Sequence, residues 1–169
     1  MSFITSVEGV TDSLLISGIG PVTNENVKKL GITCIVDASN SDRKMFRQNV
    51  EVIRVYVHDS ETGALNRYFD EVADKIQEHK NKNGKTLVHC IAGISRSAAL
   101  CMVYLVKYEG MSLREAFLHV KSKRPFISPN LGFWKQMIAY ELELLNANSV
   151  TMVNRNGRLL PDVYMERVC

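Results

Sequence analysis

Thr86-Leu87-Val88-His89-Cys90-Ile91-Ala92-Gly93-Ile94-Ser95-Arg96-Ser97 (TLVHCIAGISRS) is the stretch on which the fold turns. Its first four residues form a short apolar run, read as a buried strand. A loop containing Gly93 follows, and from about Ser97 the chain runs on as Ala98-Ala99-Leu100-Cys101-Met102-Val103-Tyr104-Leu105-Val106, an apolar helix reaching Glu109 with Gly110 as its stop. A strand that passes through a tight loop into a helix is the building unit of α/β proteins, whose parallel strands need helical crossovers.

Working outward, the same alternation recurs. Upstream, Ser13–Ser17 (SLLIS), Ile32–Ala38 (ITCIVDA) and Val52–Val57 (VIRVYV) read as strands, the first pairing with the apolar start around Phe3–Val7. Between them, Asn24–Leu30 reads as a short helix capped by Thr23 and ended by Gly31. Leu65, Phe69, Val72 and Ile76 set the buried face of a helix over about Leu65–Lys80, and Asn83-Gly84 marks a turn. Downstream, Ser112 and Glu115 form a capping box for a helix with Leu113, Ala116, Phe117 and Val120 on its apolar face, ended at Arg124-Pro125. A last helix over about Asn130–Leu145 places Trp134, Ile138, Glu141/Leu142 and Leu145 in register. The expected class is α/β, a central mostly parallel sheet flanked by helices. Residues 1–146 are expected to form one domain, with 147–169 a tail packed on or extending from it, partly packed through Val163 and Tyr164. In such sheets ligands bind at the carboxyl ends of strands, which points to the end of TLVH.

Bulk properties narrow the classes. The 169 residues suit one domain, 46% apolar content supplies a core, and the net charge of +3 favours anionic substrates without the dense basic patches of nucleic-acid binders. No apolar run is long enough for a membrane span, and the first residues lack the pattern of a secretory signal. The four cysteines, Cys34, Cys90, Cys101 and Cys169, show neither zinc-ligand spacing nor the setting for a disulfide framework. The C-terminal prenylation pattern is absent. The expected location is the cytoplasm, extending to the nucleus. Neither a metal nor another cofactor is expected.

The loop itself carries chemistry. Between a strand end and a helix N-terminus, the backbone N–H groups of Ile91, Ala92, Gly93, Ile94, Ser95 and Arg96 turn inward as a nest, and the helix adds partial positive charge. That suits a dianionic phosphate. Arg96 offers a planar fork to two of its oxygens. Gly93 permits a conformation closed to other residues. The same field favours the thiolate of Cys90, because helix N-termini and nearby cations bring thiols from about 8.5 to roughly 3.5–7.5. A thiolate in a phosphate cradle is placed for in-line attack on phosphorus. Ser97 stands ready to donate a hydrogen bond to the departing sulfur, and His89 to orient the loop. Cys34 and Cys101 read as core residues. Ejecting an alkoxide or phenoxide requires a proton donor. Asp59 directly follows VIRVYV on a loop with Ser60, Thr62 and Gly63, and Asp37 is the rival, read as structural. Asp70 and Asp74 read as solvated helix residues, and His58 as a bystander beside the acid.

His89-Cys90 through Arg96-Ser97 resembles the His-Cys-x5-Arg-Ser signature of the protein tyrosine phosphatase superfamily. The wording Ala92-Gly93-Ile94-Ser95-Arg96-Ser97-Ala98, with Tyr104-Leu105, is similar to dual-specificity phosphatases of the atypical kind. Lys123-Arg124-Pro125, Pro129-Asn130 and Gly132-Phe133 match a second family stretch, and Pro161-Asp162-Val163-Tyr164 resembles a small atypical subgroup. Val103-Tyr104-Leu105-Val106 departs from the usual Ala-Tyr-Leu-Met, a packing change. The resemblance implies a phosphatase fold of that superfamily and Asp59 as general acid, then base toward water. It implies that Asn130 steadies the loop, and that phosphotyrosine and phosphoserine or phosphothreonine are hydrolysed through a phosphocysteine intermediate. It implies phosphoprotein substrates, signalling kinases among them, and no nucleic-acid partner. Ile91, Ala92, Ile94 and Ser95 carry no charge, whereas phosphoinositide phosphatases place lysines there. Two other classes stay open on the residues alone. One is a phosphate-binding module without turnover, which has no need of Asp59. The other is a sulfurtransferase, which needs neither Asp59 nor Ser97.

Overall fold

The computed structural model describes residues 5–43 and 49–166; Phe3 and Ile4 of the expected first strand and Cys169 lie outside them. Five strands, β1 (Val7–Gly9), β2 (Leu14–Ser17), β3 (Cys34–Asp37), β4 (Glu51–Arg54) and β5 (Thr86–His89), form one sheet in the order β1-β2-β5-β3-β4. β2, β5, β3 and β4 run parallel, and only β1 is antiparallel. The class is therefore the α/β architecture with a mostly parallel sheet that the alternation implies. β5 lies in the middle with all four residues buried. Its last residue, His89, is in register with Ser17 of β2 and Asp37 of β3, so the loop after β5 leaves the sheet between two neighbouring strand ends.

The strands are shorter than their apolar runs. ITCIVDA contributes only Cys34–Asp37, because the Asp37 carboxylate turns back to accept from the Ser39 backbone at 2.9 Å and ends the ladder. VIRVYV pairs only to Arg54; beyond it, Val55 N–H still reaches Asp37 O at 2.9 Å, and the chain continues outside the ladder toward Asp59.

The helices are α1 (Asn24–Lys29), α2 (Phe69–Asn81), α3 (Arg96–Tyr108), α4 (Leu113–Lys123) and α5 (Leu131–Leu145). Thr23 caps α1, its hydroxyl accepting from Asn26 N–H at 3.2 Å, and Ser112 with Glu115 closes the expected capping box on α4. α2 does not begin at Leu65: residues Leu65–Tyr68 form a 3-10 turn first. α3 starts at Arg96 and is buried on every side from Arg96 to Val106, as a helix apolar all round must be. It is the central support on which the sheet, α2, α4 and α5 pack.

One expectation fails in detail. On α5 the buried stripe is Phe133, Trp134, Met137, Tyr140 and Glu141, whereas Leu142 and Leu145 are 50% and 46% exposed. Glu141 takes the inward place because its carboxylate accepts from Leu113 N–H at 2.8 Å and Ser149 N–H at 2.9 Å, satisfying the start of α4 and the turn after α5. The segment after α5, read as a partly packed tail, carries regular structure. β6 (Met152–Arg155) and β7 (Arg158–Pro161) form an antiparallel hairpin around Asn156-Gly157, both at positive φ, the turn that matches strand twist. Beyond it Val163 is buried, and Tyr164 packs on Phe117 and Trp134 while its hydroxyl accepts from the indole N–H of Trp134 at 2.8 Å.

Candidate active site

The loop from Cys90 to Ser95 is shaped by where its carbonyls are held. Ile91 O accepts from Ile19 N–H at 3.0 Å, and Ile94 O from Ser128 N–H at 2.9 Å. Ala92 O and Gly93 O accept from the Arg124 guanidinium at 3.1 and 2.8 Å, and Cys90 O accepts from His89 Nδ1 at 3.3 Å. In a trans peptide each N–H points opposite the carbonyl bonded to it. Pinning five successive carbonyls outward therefore turns the N–H groups of Ile91 through Ser95 toward the opposite side, where they line a concave nest for an anion. Gly93 sits at φ +69, and a Cβ there would lie 2.6 Å from the Ser17 backbone, so no other residue fits.

Inside this nest Cys90 is 3% exposed. Its Sγ accepts from Gly93 N–H at 3.2 Å and lies 3.2 Å from the Ser97 hydroxyl. Both the Gly93 N–H and the Ser97 hydroxyl are thus within reach of the sulfur. Arg96, the first residue of α3, is 7% exposed. It spends one guanidinium nitrogen on Val57 O at 3.1 Å, while its buried Nε has no hydrogen-bond partner. A desolvated, unpaired donor on a permanent cation is costly unless an anion completes it.

Asp59 arrives from the end of the β4 segment. Its Oδ1 accepts from the Ser95 hydroxyl at 2.7 Å and from the Asn130 amide at 2.8 Å. Asn130 ties the arrangement together: its backbone N–H donates to Ser95 Oγ at 3.0 Å, and its Oδ1 caps α5 by accepting from Phe133 N–H at 3.0 Å. Sulfur, guanidinium and carboxyl group thus converge at the carboxyl edge of the sheet. That arrangement has the parts for nucleophilic displacement at phosphorus with a proton donor to hand.

Comparison with known proteins agrees. A family model described as the catalytic domain of dual specificity phosphatases matches residues 19–143. The chain belongs to the dual specificity phosphatase family. It is 42% identical over 163 residues to human dual specificity protein phosphatase 21, covering 95% of this chain and 85% of that protein. It is 41% identical over 163 residues to rat dual specificity protein phosphatase 18, covering 95% of this chain and 79% of the relative. Among solved structures, a mouse putative dual specificity phosphatase complexed with zinc tungstate superposes with a TM-score of 0.80 at 33% identity, over 86% of this chain and 92% of that one. This dual specificity phosphatase is accordingly a protein phosphatase, an enzyme acting on phosphorylated proteins.

Behind the phosphatase loop lies a polar chain from β4 to β5. Arg54 donates to Asp37 Oδ2 at 3.1 Å, and Asp37 Oδ1 lies 3.5 Å from His89 Nε2. Burial pushes the His89 imidazole below its ordinary range, with Asp37 opposing. Asp37 is 8% exposed and faces this relay, while Asp59 faces the loop, which separates the two rival acids by position. His58 lines an exposed recess of about 590 Å³ with Tyr56, Arg54 and Asn40. Asp70 and Asp74 are exposed on α2, and both accept from Lys107, at 2.7 and 2.6 Å.

At the opposite end of the sheet Cys34, Glu51 and His79 bring one ligand-type atom each within 4.8 Å of the others. Their bonds are already spent: His79 meets Thr33 and Glu51, each at 2.8 Å, and the other Glu51 oxygen accepts from Lys75 at 2.9 Å. Burial raises the Cys34 thiol to about 12, so it stays protonated. An ion-pair network accounts for this cluster.

Arg124 was marked in the sequence as a helix end and as part of the second family stretch, without a role at the loop. It is 0% exposed, donates to two loop carbonyls, pairs with Glu8 and stacks on Phe126 at 4.6 Å. The available signal was an arginine set between apolar Val120 and Ile127, a place where a charge survives only with partners. Ser95 as a partner of Asp59 left no such signal.

Proposed function

We propose that Cys90 is the nucleophile of this phosphatase, Arg96 the clamp on the transferring phosphoryl group, Asp59 the general acid and base, and Ser97 the donor that stabilises the sulfur as it leaves. The thiolate of Cys90 attacks phosphorus in line. The P–O ester bond breaks as Asp59 gives its proton to the departing oxygen, leaving phosphocysteine. Asp59, now a carboxylate, takes a proton from water, whose oxygen attacks phosphorus. The P–S bond breaks, the sulfur returns to Cys90 with the Ser97 hydroxyl donating to it, and inorganic phosphate departs. Arg96 and the N–H groups of Ile91 through Ser95 supply the positive charge these steps call for. His89 and Asn130 hold the loop and the acid.

The observation that carries this reading is the buried Arg96 Nε without a partner, in the same inward-turned loop as Cys90. A phosphate-binding module would have no use for an acid, and the two bonds that aim Asp59 at Ser95 and Asn130 support turnover. The test is hydrolysis of para-nitrophenyl phosphate. Cys90→Ser should lower it by a factor on the order of 10⁵–10⁶, the scale of losing a nucleophile, while tungstate still binds. Unchanged turnover in that variant would remove Cys90 from the mechanism.

The uncharged rim, with Ile91 48% exposed beside Ala92 and Ile94, supports phosphoproteins over phosphoinositides. Signalling kinases are the substrate class we favour, to be sought by trapping with Asp59→Ala. The chemistry needs a reduced Cys90, which supports a cytoplasmic and nuclear location; cell fractionation decides it.

A further inference from the structure

The bonds of Ser95 and Asn130 hold the carboxylate of Asp59, but the rest of its loop must be held as well. Glu61 and Thr62 are exposed, and no ladder bonds reach this segment. The loop ends in the 3-10 turn Leu65–Tyr68, whose N-cap position, Ala64, offers no side-chain hydrogen bond. Leu65 N–H reaches Gly63 O at 3.0 Å, which leaves Asn66 N–H in need of a partner from elsewhere.

That partner comes from α5. Gln136 Oε1 accepts from Asn66 N–H at 2.8 Å, 70 residues away in sequence. Its Nε2 donates to Gly63 O, also at 2.8 Å. One amide thus closes both sides of the segment from Gly63 to Asn66, a task that needs donor and acceptor on the same group. One helical turn earlier on the same face, Gly132 lets the loop lie directly on the helix: a Cβ there would stand 2.1 Å from Glu61 O. The N-cap Asn130 completes the row by holding Asp59 itself.

We infer that Gln136 is a positioning residue for the general acid: it touches no substrate, but through Gly63 and Asn66 it fixes where Asp59 delivers its proton. The inference rests on Asp59 being the acid. Catalytic groups lose efficiency steeply when displaced by as little as an ångström. The consequence is selective. A leaving group that departs without help, such as a strongly acidic fluorinated phenol, does not need the proton, whereas unsubstituted phenol does.

The experiment compares kcat/KM for phenyl phosphate and a fluorinated aryl phosphate in the wild type, Gln136→Ala, Gln136→Glu and Asp59→Asn. Gln136→Ala should lose roughly tenfold on phenyl phosphate and less than about twofold on the activated ester. Gln136→Glu keeps the acceptor for Asn66 and loses the donor to Gly63, so it should fall in the same direction with the fold intact. The alkylation rate of Cys90 should stay unchanged in both. Equal losses on the two esters, or none on either, would overturn the inference. Asp59→Asn separates the two readings. If it fails to discriminate between the esters, the acid assignment itself falls. If it discriminates and the Gln136 variants do not, only the role of Gln136 falls.

Discussion

The loop proposed to cradle phosphate and the loop proposed to carry the acid occupy the same edge of one sheet, yet they are built in different ways. The cradle is one continuous piece of chain, from His89 to Ser97, set by the end of β5 and the start of α3. The loop of Asp59 has local turns, Gly63 N–H reaching Ser60 O and Leu65 N–H reaching Gly63 O, each at 3.0 Å, but its carboxylate and its anchor on α5 depend on remote residues. Asp59 is aimed by Ser95 and Asn130, 36 and 71 residues away, and its loop is tied down by Gln136. An anion nest is a backbone device and survives many side-chain changes. A proton donor is a single side chain, and its position depends on remote partners.

Arg124 is where the contrast is most open to attack, because it is a long-range side-chain tie on the carbonyls of the cradle, alongside the backbone N–H groups of Ile19 and Ser128. Arg124→Met removes a buried cation from Glu8 and frees the carbonyls of Ala92 and Gly93. The expected loss is about 3–5 kcal/mol of stability, as for breaking a buried pair from one side, with tungstate affinity falling alongside. Denaturant unfolding and tungstate titration measure the two. Tungstate binding that survived unchanged would mean the cradle holds its shape unaided.

A smaller effect should come from the segment that follows β7. Tyr164→Phe leaves the buried indole N–H of Trp134 without an acceptor, which should cost about 1–2 kcal/mol of stability. Turnover should not change, since neither residue touches the loop. A drop in kcat without a drop in melting temperature would show that the hairpin segment is coupled to the site.

The smallest effect is a pH dependence. Burial holds the His89 imidazole below its unfolded value of about 6.5. The unfolded chain therefore binds a proton that the native state refuses. The stability linked to His89 is complete above pH 6.5 and is lost as pH falls from there toward the depressed native value. Denaturant midpoints measured from pH 7.5 down to 5 should decline, and His89→Gln should flatten the decline. An unaltered slope would indicate that the Arg54–Asp37–His89 relay keeps the ring charged.

How much was legible follows the same division. Cys90, Gly93, Arg96 and Ser97 could be read together because strand, loop and helix are successive and their geometry is local. Asp59 needed a strand end plus a family resemblance, and Asn130 came from the resemblance alone. Gln136 was missed, and Arg124 and Glu141 were named without the bonds that hold them, because each bonds to backbone of a segment far along the chain, and backbone partners leave no trace in the sequence. Leu142 and Leu145 were placed inward by helical period, but the choice of face on α5 was made by Glu141, whose carboxylate had N–H groups to satisfy. The Asn156-Gly157 hairpin carried a readable turn signal that went unused because its strands are short and half exposed.

By itself the order of residues determined the α/β alternation, the strand–loop–helix unit and the chemistry packed into it, since hydrophobic period, helix caps and a glycine at positive φ all act within a few residues. Only the tertiary structure decided which carboxylate meets the cradle, what holds it there and which helix face turns inward. Those are contacts between segments remote in sequence, and they exist only once the sheet has brought its strand ends side by side.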